Sequence, residues 1–324
     1  MYPNPTGTNR TDHSEHQIAR YIDTYASPII FFFGSIGNTL ILIVYCRRRQ
    51  REKPLSIYIR SLAVADTFML ILFFAQWLTS TSHHPLSQFS CKVTNFLSNW
   101  NFNVCEYIVV AITLSRLLAI VFPMRAVITK IGPKVNVTSI VVVSFLVNLC
   151  DIWTIEYTVH VPKDAAKVTH ACLRKQQSSR VLTFVMWLKA TICFIVPMLV
   201  IFFANLLILR ELKKRKRSQP VQRKNDRKEE NKVTIMLVVM TCTFFVLLLP
   251  YIAFRWYEYF INSHKSDTKS RGVLDLIRVV CVKLLYSNNA VGFYVYALFN
   301  SDVRKELKRI VMKSDHRIHP SYVE

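Results

Sequence analysis

No His-Glu-x-x-His, nucleophile elbow or phosphate loop occurs in these 324 residues, and glycine itself is scarce at six. Their absence removes the common zinc-hydrolase, serine-hydrolase and nucleotide-binding readings, so no enzyme is expected. Cys-x-x-Cys is missing too, and no Cys/His spacing suits a metal site. No internal repeat is found, which weighs against a transporter built from duplicated halves. No polar stretch is long enough for a soluble domain of about 100 residues. A cleavable signal peptide is not evident, because the first 26 residues are polar and the first apolar run is a full-length span. That run is expected to serve as the insertion signal. Acid is in deficit, with 20 Asp and Glu against 42 Lys and Arg and a formal net charge of +22.

The chain is rich in apolar runs. Seven of them divide it: Ser27 to Cys46, Ser61 to Thr79, Val93 to Leu114, Val135 to Ile155, Val181 to Leu209, Val233 to Phe254 and Val273 to Phe299. A bilayer core of about 30 Å takes roughly 20 helical residues, which these lengths meet. The expected fold class is all-α, a seven-transmembrane helix bundle, and the chain is expected to be a multi-pass membrane protein. The domain plan is an amino-terminal tail over 1–26, a membrane domain over 27–299 and a carboxyl-terminal segment over 300–324.

Basic residues set the orientation. The segments 47–60, 116–134, 210–232 and 300–324 hold 27 Lys and Arg, against 12 in 1–26, 80–92, 156–180 and 255–272. The amino terminus is therefore expected outside and the carboxyl terminus inside. The positive surplus reflects this topology and attraction to an anionic inner leaflet, so nucleic acid is not an expected partner. Asn9 heads a glycosylation sequon on the outer side, whereas Asn136 heads one at the inner start of span four and is expected to be silent. Six of the eight cysteines fall within apolar runs. Cys91 and Cys172 alone face an oxidising compartment, so a disulfide between them is expected to pin the long outer loop across the bundle mouth.

An ordered set of motifs follows the spans. Gly37-Asn38 lies in span one, Ser61-Leu62-Ala63-Val64-Ala65-Asp66 in span two, and Arg116 twenty-five residues after Cys91. Pro197 in span five, the interval from Phe244 to Pro250 in span six and Tyr296 in span seven complete it. Together they resemble the rhodopsin-like class (class A) of G-protein-coupled receptors along nearly the whole chain. The resemblance implies a plasma-membrane receptor that transduces an extracellular ligand to a heterotrimeric G protein. It also implies a polar network at Asp66, with Asn38, Asn288 and Asn289 as neighbours, in which an allosteric sodium ion is one of two readings and a plain contact between helices the other; no other cofactor is expected. Without an ion, Asn38 and Asp66 are expected to satisfy each other. Arg116 is the expected switch residue, tied to Glu230 of span six in the inactive state. Pro197 and Pro250 each remove a backbone hydrogen bond, and kinks are expected there.

The chain also departs from that class. Ser115 and Leu117 replace the acid and the aromatic that flank the arginine, Leu248 takes the place of a tryptophan in span six, and Asn205 that of a frequent tyrosine in span five. Span seven reads Asn288-Asn289-Ala290-Val291-Gly292-Phe293-Tyr294-Val295-Tyr296, without the usual asparagine–proline pair. A related proline-free pattern occurs among invertebrate neuropeptide receptors of the FMRFamide type, which this region resembles. After it, Ser301 to Val311 spaces Val303, Leu307, Ile310 and Val311 as a short amphipathic helix on the inner leaflet, with no cysteine beyond for palmitoylation.

Ser98 stands where amine receptors of the class carry an aspartate, and Tyr286 where opsins carry the retinal lysine, Lys283 lying almost one turn outward. Amines and retinal are thus not the expected ligands. Acids in or near the outer half are Glu106, Asp151, Glu156, Glu258 and Asp275, candidates to meet an arginine-bearing peptide. Gln76, Trp77, Ser98, Trp100, Trp153, Trp256 and Tyr257 are candidate walls of the ligand site. For the aromatics, anchoring at the lipid interface is the alternative. Val159-His160-Val161 and Ala171-Cys172-Leu173 suit a hairpin lid. The basic run Arg210 to Lys232, with Arg116 and Ala126, is the expected G-protein surface. A neuropeptide is the expected ligand; the alternatives are an orphan chemosensory receptor of the same fold, or a transporter.

Overall fold

The computed structural model describes residues 10–81, 87–121, 132–160, 169–174, 184–185, 187–189, 191–217, 224–261, 271–299 and 303–310. Seven main helices run in chain order: α1 (Arg10–Cys46), α2 (Pro54–Thr81), α3 (Gln88–Val121), α4 (Pro133–Asn148), α5 (Val196–Arg217), α6 (Lys224–Ile261) and α7 (Arg271–Phe299). A short helix α8 follows over 303–310. Among the described residues six helical segments are long and apolar enough to cross a bilayer. Helix α4 is a shorter apolar helix of 16 residues, about 24 Å of rise. Pro133 opens it, as its fixed φ and missing N–H suit a first turn. It ends at a turn over Leu149 and Cys150, short of the expected Ile155, and Asp151–Thr154 forms a separate helical turn beyond.

The burial pattern is that of a membrane bundle. Phe32, Phe33, Ile36, Val246 and Leu298 lie on the outside, while Asn38, Asp66, Glu106 and Asp151 are buried. A soluble fold would reverse this, because water hydrates the polar groups and expels the apolar ones. Here lipid replaces water, and polar side chains turn inward to find partners.

Helix α3 runs through the middle, packed against α2, α4 and α5. Its links to the neighbours are polar as well as apolar. Asn101 Nδ2 donates to the Ala65 carbonyl of α2 at 2.8 Å, and Trp100 Nε1 to the Val141 carbonyl of α4 at 3.1 Å. Strands β1 (Ile155–His160) and β2 (Thr169–Arg174) pair antiparallel, with Tyr157 opposite Cys172. The hairpin expected in the outer loop is therefore present; Val161 lies outside the described residues.

Helix α1 begins at Arg10, well inside the segment expected to be a tail. Its most extensive partner is α7. The two helices touch closely at Gly34, where an added Cβ would stand 2.5 Å from Leu70 Cδ1 and 2.8 Å from Ala290 Cβ. At the other end, α8 docks through buried Val303 and through Glu306, which pairs with Arg309 at 2.7 Å and Arg47 at 3.6 Å. Leu307 and Ile310 pack on the same core, so the amphipathic spacing read from the sequence is realised.

Gly34→Ala should lower thermal stability by about 1–3 kcal/mol through overpacking. Gly292→Ala should leave it unchanged, since a Cβ there meets only Ile41 Cδ1 at 3.9 Å. Melting curves of the two purified variants check this, and equal melting temperatures would refute the close approach.

Candidate functional site

A cavity of about 870 Å³ opens at the end of the bundle that carries Cys91. Helices α1, α2, α3 and α7 supply most of its wall, with Phe194 and Tyr251 closing the far side. Gln76, Trp77 and Ser98 line it as the sequence suggests, and so does Asp275. Gln76 Nε2 donates to Ser98 Oγ at 3.3 Å, and Trp77 stacks on Phe74 with ring centres 5.3 Å apart.

Other expected wall residues are elsewhere. Trp100 turns to α4, its ring set edge-on to Phe145 at 5.7 Å, because two residues along a helix turn a side chain about 200° from Ser98. Glu106 is fully buried two turns deeper in α3 and is not part of the cavity wall. Trp256 packs on Trp187 at 4.6 Å, and Tyr257 is exposed and stacked on Phe254. Neither lines the cavity. Asp151 is buried beneath the loop, where Lys189 Nζ holds it at 2.5 Å and Asn99 Nδ2 at 2.9 Å. It is already committed within the fold and does not face a ligand. The side chains of Trp153, Glu156, Glu230 and Glu258 lie outside the described residues, as do Asn9 and Ala126.

Lys283 lies almost one turn outward of Tyr286 in α7, as expected, but sequence reasoning did not find its partners. Its ammonium is buried between α7 and α1, 2.5 Å from Asp23 Oδ1 and 2.7 Å from Ser27 Oγ, and 4.7 Å from the centre of the Phe73 ring. Asp23 had been counted with a polar tail, and no spacing in the sequence joins it to a residue 260 positions away.

Below the cavity a polar path descends the bundle. Asn38 Nδ2 donates to the Asn289 carbonyl of α7 at 3.1 Å, not to Asp66. The close packing of α1 on α7 brings that carbonyl within reach first. Asp66 faces the Cys105 thiol of α3 instead. Asn289 Nδ2 turns back to its own helix at Leu285, and Asn288 is half-buried. Asn38 Oδ1 has no hydrogen-bond partner among the described residues. Tyr296 is buried beside Tyr45, in electrostatic reach of both Asp66 and Arg116. Arg116 itself is half-buried near the end of α3.

Around α5 and α6 the altered positions find their own packing. Leu248 is fully buried with Ile201, Phe244 and Leu285. Asn205 Nδ2 donates to Thr241 Oγ1 at 2.7 Å, joining α5 to α6. Pro250 lies inside α6, and buried Pro197 follows the π-helical turn Thr191–Ile195. In that register the carbonyl left without a donor by Pro197 is that of Ile192, five residues back. The Tyr107 hydroxyl takes it at 2.9 Å, and Asn103 Nδ2 reaches Cys193 Sγ at 3.2 Å. Nothing in composition marks this turn.

Cys91 is disulfide-bonded, and Cys46, Cys105, Cys150, Cys193, Cys242 and Cys281 are free. The eighth cysteine, Cys172, stands in β2, and its side chain is outside the described residues.

Comparison with known proteins gives one consistent result. The profile of the 7 transmembrane receptor (rhodopsin family) matches residues 37–295. The type-1 angiotensin II receptor of Meleagris gallopavo is 25% identical over 300 residues, covering 90% of this chain and 82% of that one. The type-1 angiotensin II receptor A of Xenopus laevis is 23% identical over 287 residues, 87% of this chain and 77% of its own. The somatostatin receptor type 2 of Mus musculus is 23% identical over 320 residues, 94% and 81% of the two chains.

Both carboxyl oxygens of Glu106 lack a hydrogen-bond partner among the described residues. Replacing it by an apolar residue of similar volume should relieve that desolvation: Glu106→Leu is expected to stabilise the purified chain by about 1–3 kcal/mol. Thermal unfolding followed by tryptophan fluorescence measures it. A lower melting temperature would mean that the carboxyl is held by the fold after all.

Proposed function

Because the chain belongs to the rhodopsin family of seven-transmembrane receptors, we propose that it receives an extracellular peptide and passes the signal to a heterotrimeric G protein at the plasma membrane. The observation that carries this reading is the layout along the bundle. An 870 Å³ cavity stands at the Cys91 end, Arg116 stands near the other, and the buried side chains of Asp66 and Tyr296 lie between them. The cavity exceeds what a small amine fills, and the carboxylates among its described lining residues, Asp23 and Asp275, already stand beside Lys283 and His16. Relatives whose names specify angiotensin II and somatostatin receptors support a peptide. The proline-free span seven supports the narrower likeness to FMRFamide-type receptors.

In this reading the amino terminus, Asn9 and the hairpin are outside, and the carboxyl terminus and α8 inside. The excess of Lys and Arg in alternate gaps supports that orientation. Cys91 pairs with Cys172 and ties α3 to β2. Signalling is a population shift: ligand contacts favour the arrangement in which α6 pivots at Pro250 and exposes Arg116. Glu230 is the acid that holds Arg116 before the shift. A sodium ion suits the oxygens of Asp66 and Asn38, one a buried carboxylate, the other an amide oxygen with no partner among the described residues. Bound there, the ion would supply the positive charge that a buried carboxylate needs.

The test is second-messenger output from cells displaying the full chain, challenged with synthetic peptides that include Arg-Phe-amide endings. A saturable response is expected, lost in Arg116→Ala without loss of peptide binding and raised at baseline in Glu230→Lys. Silence at normal surface expression would overturn the peptide reading. An Arg116→Ala variant that still signals would overturn the switch.

A further inference from the structure

Helices α1 and α7 run side by side in the same direction, since their contacts advance together from His16–Asp275 through Asp23–Lys283 to Asn38–Asn289. Both upper contacts set a nitrogen base against a carboxylate. His16 Nδ1 stands 3.4 Å from Asp275 Oδ2, and two turns lower Asp23 takes the Lys283 ammonium at 2.5 Å. The level between them is different. One turn below His16 on α1 comes Arg20, and about one turn below Asp275 on α7 comes Arg278. Both line the cavity, both are exposed, and neither has an ion pair among the described residues.

Arg20 and Arg278 thus stand at neighbouring levels of adjacent helices, between a histidine–carboxylate contact above and the Asp23–Lys283 ion pair below, and both face the one cavity. The carboxylates lining the cavity, Asp23 and Asp275, belong to those rungs. The remaining polar wall near this height, Gln76 with Ser98, is uncharged and internally bonded. Like charges held at neighbouring levels repel, and the repulsion grows as a ligand displaces water from between them. An anion seated there removes the repulsion and accepts from both forks. A carboxylate suits this best, because its two oxygens match the planar guanidinium geometry.

We propose that the Arg20–Arg278 rung seats a carboxylate of the ligand, so that the cavity selects peptides with a free carboxyl terminus or an acidic side chain over amidated, acid-free ones. This rests on the peptide-receptor reading above and replaces its FMRFamide-type refinement with a carboxylate-bearing peptide. An Arg-Phe-amide ending would bring another cation and no carboxylate to this level.

The test uses the full-length chain in lipid nanodiscs and synthetic peptides made in three forms: free carboxyl terminus, amide, and amide with one added Asp. Binding is measured on the native chain and on Arg20→Gln, Arg278→Gln and the control Arg48→Gln, an exposed residue paired with Glu52 away from the cavity. The expected result is a preference of roughly tenfold for the carboxylate forms, the size of a charge-assisted contact, reduced in both rung variants and kept in the control. The form preferred, free terminus or added Asp, tells which carboxylate is seated. Equal binding of all three forms, or a preference that both rung variants retain, overturns the rung and leaves the peptide reading standing. If no peptide binds, the small probes N-acetyl-phenylalanine and its amide decide the matter. A melting-temperature rise with the acid alone, abolished in Arg20→Gln and Arg278→Gln, supports the rung while the peptide reading fails. No such rise overturns the rung.

Discussion

Water is absent from the hydrocarbon layer, so a polar side chain carried into it must be met from another helix. In this chain those meetings bind the helices two by two. Lys283 and Asp23 tie α7 to α1, Asn101 ties α3 to α2 through the Ala65 carbonyl, and Trp100 ties α3 to α4 through that of Val141. Asn136 reaches the Tyr58 hydroxyl at 2.9 Å and joins α4 to α2; Asn205 and Thr241 join α5 to α6. Apolar packing alone would not distinguish one neighbour from another, since lipid tails are as apolar as leucine. The polar contacts add the direction that packing lacks.

Helix α3 carries the largest share of this wiring. Its Cys91 end is fastened by a disulfide, its middle bonds to α2, α4 and the π-helical turn, and Arg116 lies near its far end. A rod held at so many points is suited to be the fixed member against which others move. Helices α5 and α6 pack only lightly on each other, and their one polar bond among the described residues is Asn205 to Thr241. Helix α6 packs instead chiefly on α7, and it continues as one helix through Pro250. Leu248 lies on its inner side: with Phe244 beside it and Ile201 across from it, the position is filled without an aromatic ring.

Seven apolar spans were legible in the sequence because uniform apolarity over twenty residues is a signal of composition alone. The ends were less so. Helix α4 stops at Asn148 because Asp151 must reach Lys189 and Asn99, partners that no local pattern announces. The polar residues 10–26 before Ser27 read as tail, yet they are helical, supported by α7 through contacts more than 250 residues away in sequence. Within the cavity, Gln76, Trp77 and Ser98 were found and Trp100 misassigned, although helical phase separates Ser98 from Trp100 without any structure. Glu106 stood out as a mid-span acid, but its direction depends on how α3 is rotated in the bundle. Arg20 and Arg278 were passed over because each alone is an ordinary surface arginine; their neighbouring levels exist only once α1 and α7 are side by side.

The π-helical turn at Thr191–Ile195 inserts one residue into a helix that otherwise advances about 100° per residue. Everything on the Cys91 side of that turn is therefore out of phase, by about one residue, with everything beyond Pro197. A numbering carried across from a relative whose fifth helix lacks the bulge would name the wrong face of this one. Lys189 would be counted as its neighbour, and a ligand contact inferred by counting back from the proline would fall on a side chain pointing at lipid.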